Sequence, residues 1–180
     1  MKKYWTGLNQ PSWVLWAHEF SKHATCFSTF DAECLGPSAA APPHSEVADF
    51  FETVAAFYER VPTHAFLARA GVVPSNGTAY SLARLQRALR AGPGGRAGGR
   101  VPYLGCTGPR YNETEAGAGS RDDGFTVLAE VWYYYRVRGR VQRVDPVPVD
   151  PPAGGSLSNC ATSPRAVWYY ERTPGSVRLD

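Results

Sequence analysis

Four side chains that can bind or transfer protons fall within six consecutive residues, from His18 to His23, of a largely apolar stretch. They are His18, Glu19, Lys22 and His23. In a helix that turns by about 100° per residue, they point at about 0°, 100°, 40° and 140° around the helix axis. All four side chains therefore project from one side of the helix. His18 and Glu19 each precede a partner by four residues, a spacing at which side chains orient one another. The sequence therefore predicts a helix face that handles protons and binds anions.

Three alternatives fit part of this pattern. A zinc peptidase helix needs histidines four residues apart, whereas these two are turned by about 140° and have Lys22 between them, which repels a cation. A thiol nucleophile at Cys26, assisted by His23, is possible in its geometry. A plain solvated helix face is possible on spacing alone, although the surrounding aromatic residues favour a cleft. These aromatic residues are Trp13, Trp16 and Phe20.

The segment 16–30, with the sequence WAHEFSKHATCFSTF, resembles the second active-site signature of the ribonuclease T2 family, W-x-H-E-[WYF]-x-K-H-[GA]-T-C. Further segments resemble the fungal branch of this family in the same order along the chain. They are FFETVAAFY at 50–58, GVVPS at 71–75, PYLGC at 102–106 and EVWYYYRVRGRVQ at 130–142. The resemblance therefore covers nearly the whole chain.

This resemblance implies an acid endoribonuclease that cleaves single-stranded RNA through a 2′,3′-cyclic phosphate, with little base preference and without a metal or other cofactor. The 2′-hydroxyl attacks its own phosphate, so the reaction needs a base, an acid and stabilisation of the extra negative charge. By motif position His23 is the base, Lys22 and Glu19 stabilise the phosphorane, and His18 holds the phosphate.

A base-binding site is also implied, more loosely, by the residues that precede the signature. Asn9 and Gln10 resemble the polar pair with which the family reads a base edge. Leu15 stands where the family often has an aromatic residue, and leucine stacks on a base less well.

The chain departs from the family at the first signature, H-G-L-W-P, whose histidine supplies the acid. No such sequence occurs here, and neither His44 nor His64 matches it. The resemblance therefore implies an N-terminally truncated member with at most trace activity. The alternatives are an inactive truncated homologue or mis-predicted gene start that at most binds RNA, and a secreted effector that acts through its surface.

The cysteines extend this interpretation. Cys106 and Cys160 resemble the pair that closes the C-terminal part of the family fold, and we expect them to be bonded. Cys26 and Cys34 correspond to positions that the family bonds to cysteines further upstream. They are therefore expected to be unpaired or bonded to each other.

Two glycosylation motifs, at Asn76 and Asn112, suit a secretory route. For a full-length parent we expect an extracellular, secretory-pathway or vacuolar location. The chain itself has no signal-peptide pattern, because the stretch after the two N-terminal lysines is polar and is broken by Gly7 and Pro11.

A chain of 180 residues with 43% hydrophobic content can bury one core. We expect a single partial domain over 1–180, with flexible insertions at about 35–44 and 91–100. No window approaches the roughly 18 apolar residues of a membrane span. A formal charge of only +3 excludes a strongly basic nucleic-acid binder, so RNA must be recognised in a local cleft. We expect a monomer with no membrane or DNA partner.

Hydrophobic periodicity predicts helices at 12–23, from Ser45 onward, at 63–70 and at 81–90. The apolar stripe of the second helix is predicted to be core, and comprises Val47, Phe50, Phe51, Val54, Phe57 and Tyr58. Strands are predicted at 101–106, 126–144 and 166–171, with 131–135 too apolar for an exposed edge and therefore central. The predicted fold class is α+β, an antiparallel sheet packed with helices.

Overall fold

The computed structural model describes residues 1, 5–24, 44–90, 99–108, 125–139, 145–152 and 156–175. Four helices come first, and they are α1 (Ser12–His23), α2 (Ser45–Arg60), α3 (Thr63–Arg69) and α4 (Leu82–Arg90). The strands follow, and they are β1 (Tyr103–Thr107), β2 (Thr126–Trp132), β3 (Tyr134–Arg136), β4 (Val147–Val149) and β5 (Val167–Trp168). Helices followed by strands confirm the α+β class. The predicted insertions lie almost wholly outside the described residues.

The contacts within the chain divide it into two compact units. One comprises Met1–Glu59, Val137–Asp145 and Arg172–Asp180, and the other comprises Arg60–Arg136 and Pro146–Glu171. Each has its own apolar cluster. None of the helices in the described part of the chain is long and apolar enough to cross a membrane.

In the first unit, α1 and α2 enclose a cluster of aromatic rings. Phe50 is buried, and its ring centroid lies 5.6 Å from that of Phe20 on α1. Trp5 packs edge-on against Phe51 at 5.7 Å. The predicted apolar stripe of α2 is thus confirmed at its centre. Tyr58 is the exception, because it is 38% exposed at the rim of an apolar cavity that it lines together with Trp5.

The second unit has the larger core, between α3, α4 and the inner face of a sheet. Leu85 and Leu89 of α4 are fully buried, and Leu104 of β1 is buried with them. α3 ends before Gly71, whose φ of +67° lies in the left-handed region that glycine adopts without strain. The helix predicted at 63–70 is thus confirmed to within one residue.

The larger sheet has the strand order β1-β2-β5. β1 and β2 are antiparallel, with Tyr103 opposite Trp132, whereas β2 and β5 are parallel, with Thr126 opposite Val167. β3 and β4 form a separate antiparallel pair. β2 is therefore the central strand of its sheet, but β5 reaches it only at Thr126 and Val127. The prediction of a central strand at 131–135 is wrong, because in the described part of the chain β2 pairs there with β1 alone and β3 pairs with β4 alone.

The single long strand predicted from Thr126 is wrong in its extent. It is interrupted at Tyr133, and the next strand ends at Arg136. Tyr133 packs against the core, and its hydroxyl is hydrogen-bonded to that of Thr63 at 3.0 Å, which anchors the chain between the two strands. Trp132 is 52% exposed, so the prediction that this apolar run avoids solvent is also wrong. Its indole N–H donates a hydrogen bond to the carboxylate of Glu130 at the surface.

Tyr133 makes the stability of the fold sensitive to alkaline pH. Burial raises its pKa from 10.0 to about 12, and the hydrogen bond with Thr63 opposes this shift only in part. The unfolded chain loses the proton first, so the stabilisation is complete below pH 10 and is lost as the pH rises to about 12. Over that range the free energy of unfolding should fall by about 2–3 kcal/mol on account of this residue.

Urea unfolding of the wild type and of Tyr133→Phe at several alkaline pH values measures this difference. The wild type should lose stability more steeply than Tyr133→Phe, whereas Tyr170→Phe, which removes an exposed hydroxyl, should follow the wild type. Equal slopes for the wild type and Tyr133→Phe would contradict the assignment.

Candidate active site

α1 brings the predicted side chains together on one side. His23 Nε2 lies 3.8 Å from Glu19 Oε2, one helical turn away. The imidazole rings of His18 and His23 have centroids 6.3 Å apart and are nearly perpendicular. Lys22 is exposed on the same helix. We call the sector of α1 that carries these four residues the active face.

The side of α1 that adjoins the active face holds the helix in place. Phe20 packs among the aromatic rings of α2, and the Trp16 indole N–H donates a 2.7 Å hydrogen bond to the backbone carbonyl of Trp5. α1 begins directly after Pro11, whose carbonyl accepts the N–H of Val14. Because one side of the helix is fixed by these contacts, the active face is left towards solvent.

The active face is open rather than buried. The side chain of His23 is 54% exposed and that of Glu19 is 25% exposed. An ion pair this accessible to water contributes only about 0.2–1 kcal/mol to stability. Its value is therefore geometric, since the carboxylate limits the orientations of the imidazole.

The spacing argument against a shared metal is wrong. One potential ligand atom from each of His18, Glu19 and His23 lies within 4.8 Å of the others. The angle between His18 and His23 around the helix axis describes only where their Cβ atoms point. The side-chain torsions beyond Cβ turn the two imidazole rings back towards each other. The remaining argument against a cation is the charge of Lys22 on the same face. The thiol at Cys26 lies outside the described residues.

The three base-binding candidates are found at the N-terminal end of α1. Asn9 and Gln10 are exposed in the turn that precedes the helix, and Leu15 is half-buried on its second turn. Asn9 has a φ of 57°, in the left-handed region that asparagine tolerates better than most residues. The structure thus places these candidates on or beside the helix that carries the active face.

The disulfide between Cys106 and Cys160 is present, as expected from the resemblance. Asn76 is exposed, and its side-chain amide donates to the carboxylate of Glu171. Asn112, Cys26 and Cys34 lie outside the described residues, so their predicted roles stay predictions.

Sequence reasoning missed the part played by Ser12. It predicted only that a helix begins at this residue, whereas Ser12 is buried and its hydroxyl accepts a hydrogen bond from the backbone N–H of Gly7. A serine directly after a proline, five residues beyond a glycine, is the one sequence signal that pointed to such a closed turn.

Comparison with known proteins places the chain in a family. The family model described as the ribonuclease T2 family matches residues 1–139. Ribonuclease T2-like 1-A of Candida albicans is 30% identical over 163 residues, which are 91% of this chain and 34% of that protein. Ribonuclease Trv of Hypocrea rufa is 31% identical over 169 residues, which are 94% of this chain and 59% of that protein.

A solved structure agrees with these matches. The crystal structure of Actibind, which is described as a T2 ribonuclease, has a TM-score of 0.63 and 27% identity. The alignment covers 89% of this chain and 56% of that one. The chain thus spans between about a third and three fifths of the length of these relatives. With most of its length matched by the family model, the chain belongs to the ribonuclease T2 family.

Proposed function

We propose that this chain carries one side of an endoribonuclease site, which cleaves single-stranded RNA through a 2′,3′-cyclic phosphate. The observation that carries the proposal is the convergence of His18, Glu19 and His23 on α1 in a member of the ribonuclease T2 family. A proton acceptor, a carboxylate that orients it and further cationic groups on one solvent-accessible face suit attack on a phosphodiester.

In this mechanism His23 removes the proton of the 2′-hydroxyl, and the 2′-oxygen forms a bond to phosphorus. Glu19, 3.8 Å from the His23 ring, orients the imidazole and balances the charge that it gains with the proton. Lys22 stabilises the negative charge of the five-coordinate phosphorus, and His18 holds a phosphate oxygen. The bond from phosphorus to the 5′-oxygen then breaks, and no metal takes part.

The departing 5′-oxygen must receive a proton, and the active face has no group left for that task. The family supplies it from the histidine of the first signature, which has no counterpart in these 180 residues. A general acid contributes about 10²- to 10⁴-fold to the rate. We therefore propose that a polypeptide of this sequence alone cleaves RNA only at a trace rate.

The remaining properties follow from the same assignment. The substrate is single-stranded RNA, because only an unpaired nucleotide can present its base and its 2′-hydroxyl together in an open cleft. We propose a monomer that acts in the secretory pathway, outside the cell or in a vacuole. Its disulfide and the exposed Asn76 are suited to such an oxidising route.

Two measurements test the proposed function. The 180-residue protein is incubated with poly(A) and poly(U) at about pH 5, the acidic condition that the assignment to an acid endoribonuclease implies, with Ribonuclease Trv as reference. Cyclic-phosphate ends should form at a rate about 10²- to 10⁴-fold below the reference. Binding to a non-cleavable 2′-deoxy oligonucleotide is measured in parallel.

Turnover equal to the reference would show that another group supplies the acid. Products without cyclic-phosphate ends would contradict the mechanism. Binding without any cleavage would instead support the alternative of a non-catalytic RNA-binding homologue, and the absence of both would reject the assignment to RNA.

A further inference from the structure

We propose that Ser12 is a positioning residue, which holds the Gly7–Pro11 loop beside the active face so that the exposed amides of this loop meet an RNA base. The inference rests on the proposed function and adds the residue that fixes the base contact. It depends on where Ser12 points, on how tightly the loop is closed and on what the loop presents.

Ser12 points to the same side of α1 as the active face. It lies six residues before His18, so at about 100° per residue its direction is about 120° in the frame in which the four active-face residues span about 0° to 140°. Its side chain is only 4% exposed, and its hydroxyl accepts the backbone N–H of Gly7 at 3.3 Å. The loop therefore folds back over the N-terminal end of this side of the helix.

The backbone of the Gly7–Pro11 loop is conformationally restricted. A Cβ atom at Gly7 would lie 2.5 Å from the carbonyl oxygen of Gln10 and 3.1 Å from that of Pro11, so only glycine fits there. Asn9 adopts a φ of 57°, and Pro11 has a fixed φ of −56°. A loop held in this way pays little conformational entropy when a ligand binds.

The loop presents groups that suit a nucleobase. The Asn9 and Gln10 side chains are exposed, and each amide both donates and accepts hydrogen bonds, as a base edge requires. Leu15 has a direction of about 60°, within the same sector, and adds an apolar surface between loop and active face. Ser12 and His18 are about 9 Å apart along the helix axis, a length that the base and phosphate of one nucleotide can span.

The experiment compares two ligands on the full chain. The first is a non-cleavable 2′-deoxy dinucleotide, which reaches both loop and active face, and the second is inorganic phosphate, which needs only the active face. Ser12→Ala should weaken dinucleotide binding about two- to tenfold and leave phosphate binding unchanged. Ser12→Thr, which keeps the hydroxyl, should restore much of the affinity for the dinucleotide.

Ser21→Ala is the matched control, because this hydroxyl lies on the same helix but is exposed and donates a hydrogen bond to the carbonyl of His18. It should bind both ligands as the wild type does. Gly7→Ala keeps Ser12 but forces the loop away from Gln10, and it should weaken dinucleotide binding alone. This variant tests the same loop if thermal unfolding shows that Ser12→Ala is not folded.

The outcomes separate this inference from the proposed function. If Ser12→Ala and Gly7→Ala bind the dinucleotide as the wild type does, the positioning role of Ser12 is overturned while the active face stands. If both variants lose phosphate as well, the loop acts only through the general stability of α1, and the inference is again overturned. Failure of the wild type to bind either ligand would reject the proposed function and the inference with it.

Discussion

Replacing His23 with alanine should lower the rate of cyclic-phosphate formation about 10²- to 10⁴-fold, the loss expected when a general base is removed. The 2′-hydroxyl is a poor nucleophile until its proton is taken, and His23 is the imidazole that Glu19 orients at 3.8 Å. The expected loss is measured against the slow rate of this chain and not against an intact relative.

The matched control is His64→Ala, which removes an exposed histidine from α3, outside the active face. It should cleave RNA at the wild-type rate. Because slow cleavage is easily imitated by a contaminating nuclease, all three proteins are purified in parallel and assayed with the same substrate. Equal rates for His23→Ala and the wild type would mean that the measured turnover does not come from this site.

Much of the first unit could be predicted from the sequence, because the hydrophobic periodicity and the residues that mark helix ends agree there. Pro11 marks the start of α1, and the alternation of Phe20 with the charged residues around it separates a packed side from an open one. The grouping of His18, Glu19 and His23 follows from the helix alone. Their distances do not, since they depend on side-chain torsions that the spacing of residues leaves undetermined.

The second unit shows where local patterns fail. The run through Tyr133 is apolar enough to predict one strand, yet the hydrogen bond with Thr63, which lies 70 residues earlier, interrupts it. The parallel pairing of β5 with β2 likewise joins segments that are distant in the sequence. These features depend on contacts between segments that are distant in the sequence, and hydrophobic periodicity cannot predict such contacts.

Buried polar side chains link β1 and β2 to the segment 158–161 in the second unit. The Ser158 hydroxyl donates to the carbonyl of Leu104 at 2.8 Å, and Asn159 accepts the N–H of Cys106 at 2.7 Å. On β2, the hydroxyl of the fully buried Thr126 accepts the N–H of Ala161 at 3.0 Å. These bonds must form within a core from which water is excluded, so they depend on accurate placement of the segment.

The Cys106–Cys160 disulfide provides that placement, and its removal has the largest expected effect on stability. The bond joins cysteines that are 54 residues apart. Closing a loop of this length in the unfolded chain accounts for about 4 kcal/mol of stabilisation, within the measured range of about 2–5 kcal/mol for removed native disulfides. The double variant Cys106→Ala, Cys160→Ala should therefore unfold more easily by about 2–5 kcal/mol.

Urea unfolding with and without a reductant separates this bond from the other cysteines. Reductant should destabilise the wild type to about the level of the double variant. Any further effect of reductant on the double variant would report a second bond, made by Cys26 and Cys34, and so decide between the two states predicted for them.

Hydrogen exchange provides a local readout of the same variant. The amide of residue 106, which donates to Asn159, should exchange much faster in the double variant, because the opposite segment is no longer tied to β1. Amides in the middle of α1 should lose protection only as far as global unfolding requires. Unchanged protection at residue 106 together with a loss below about 1 kcal/mol would mean that the buried polar bonds hold the segment without the disulfide.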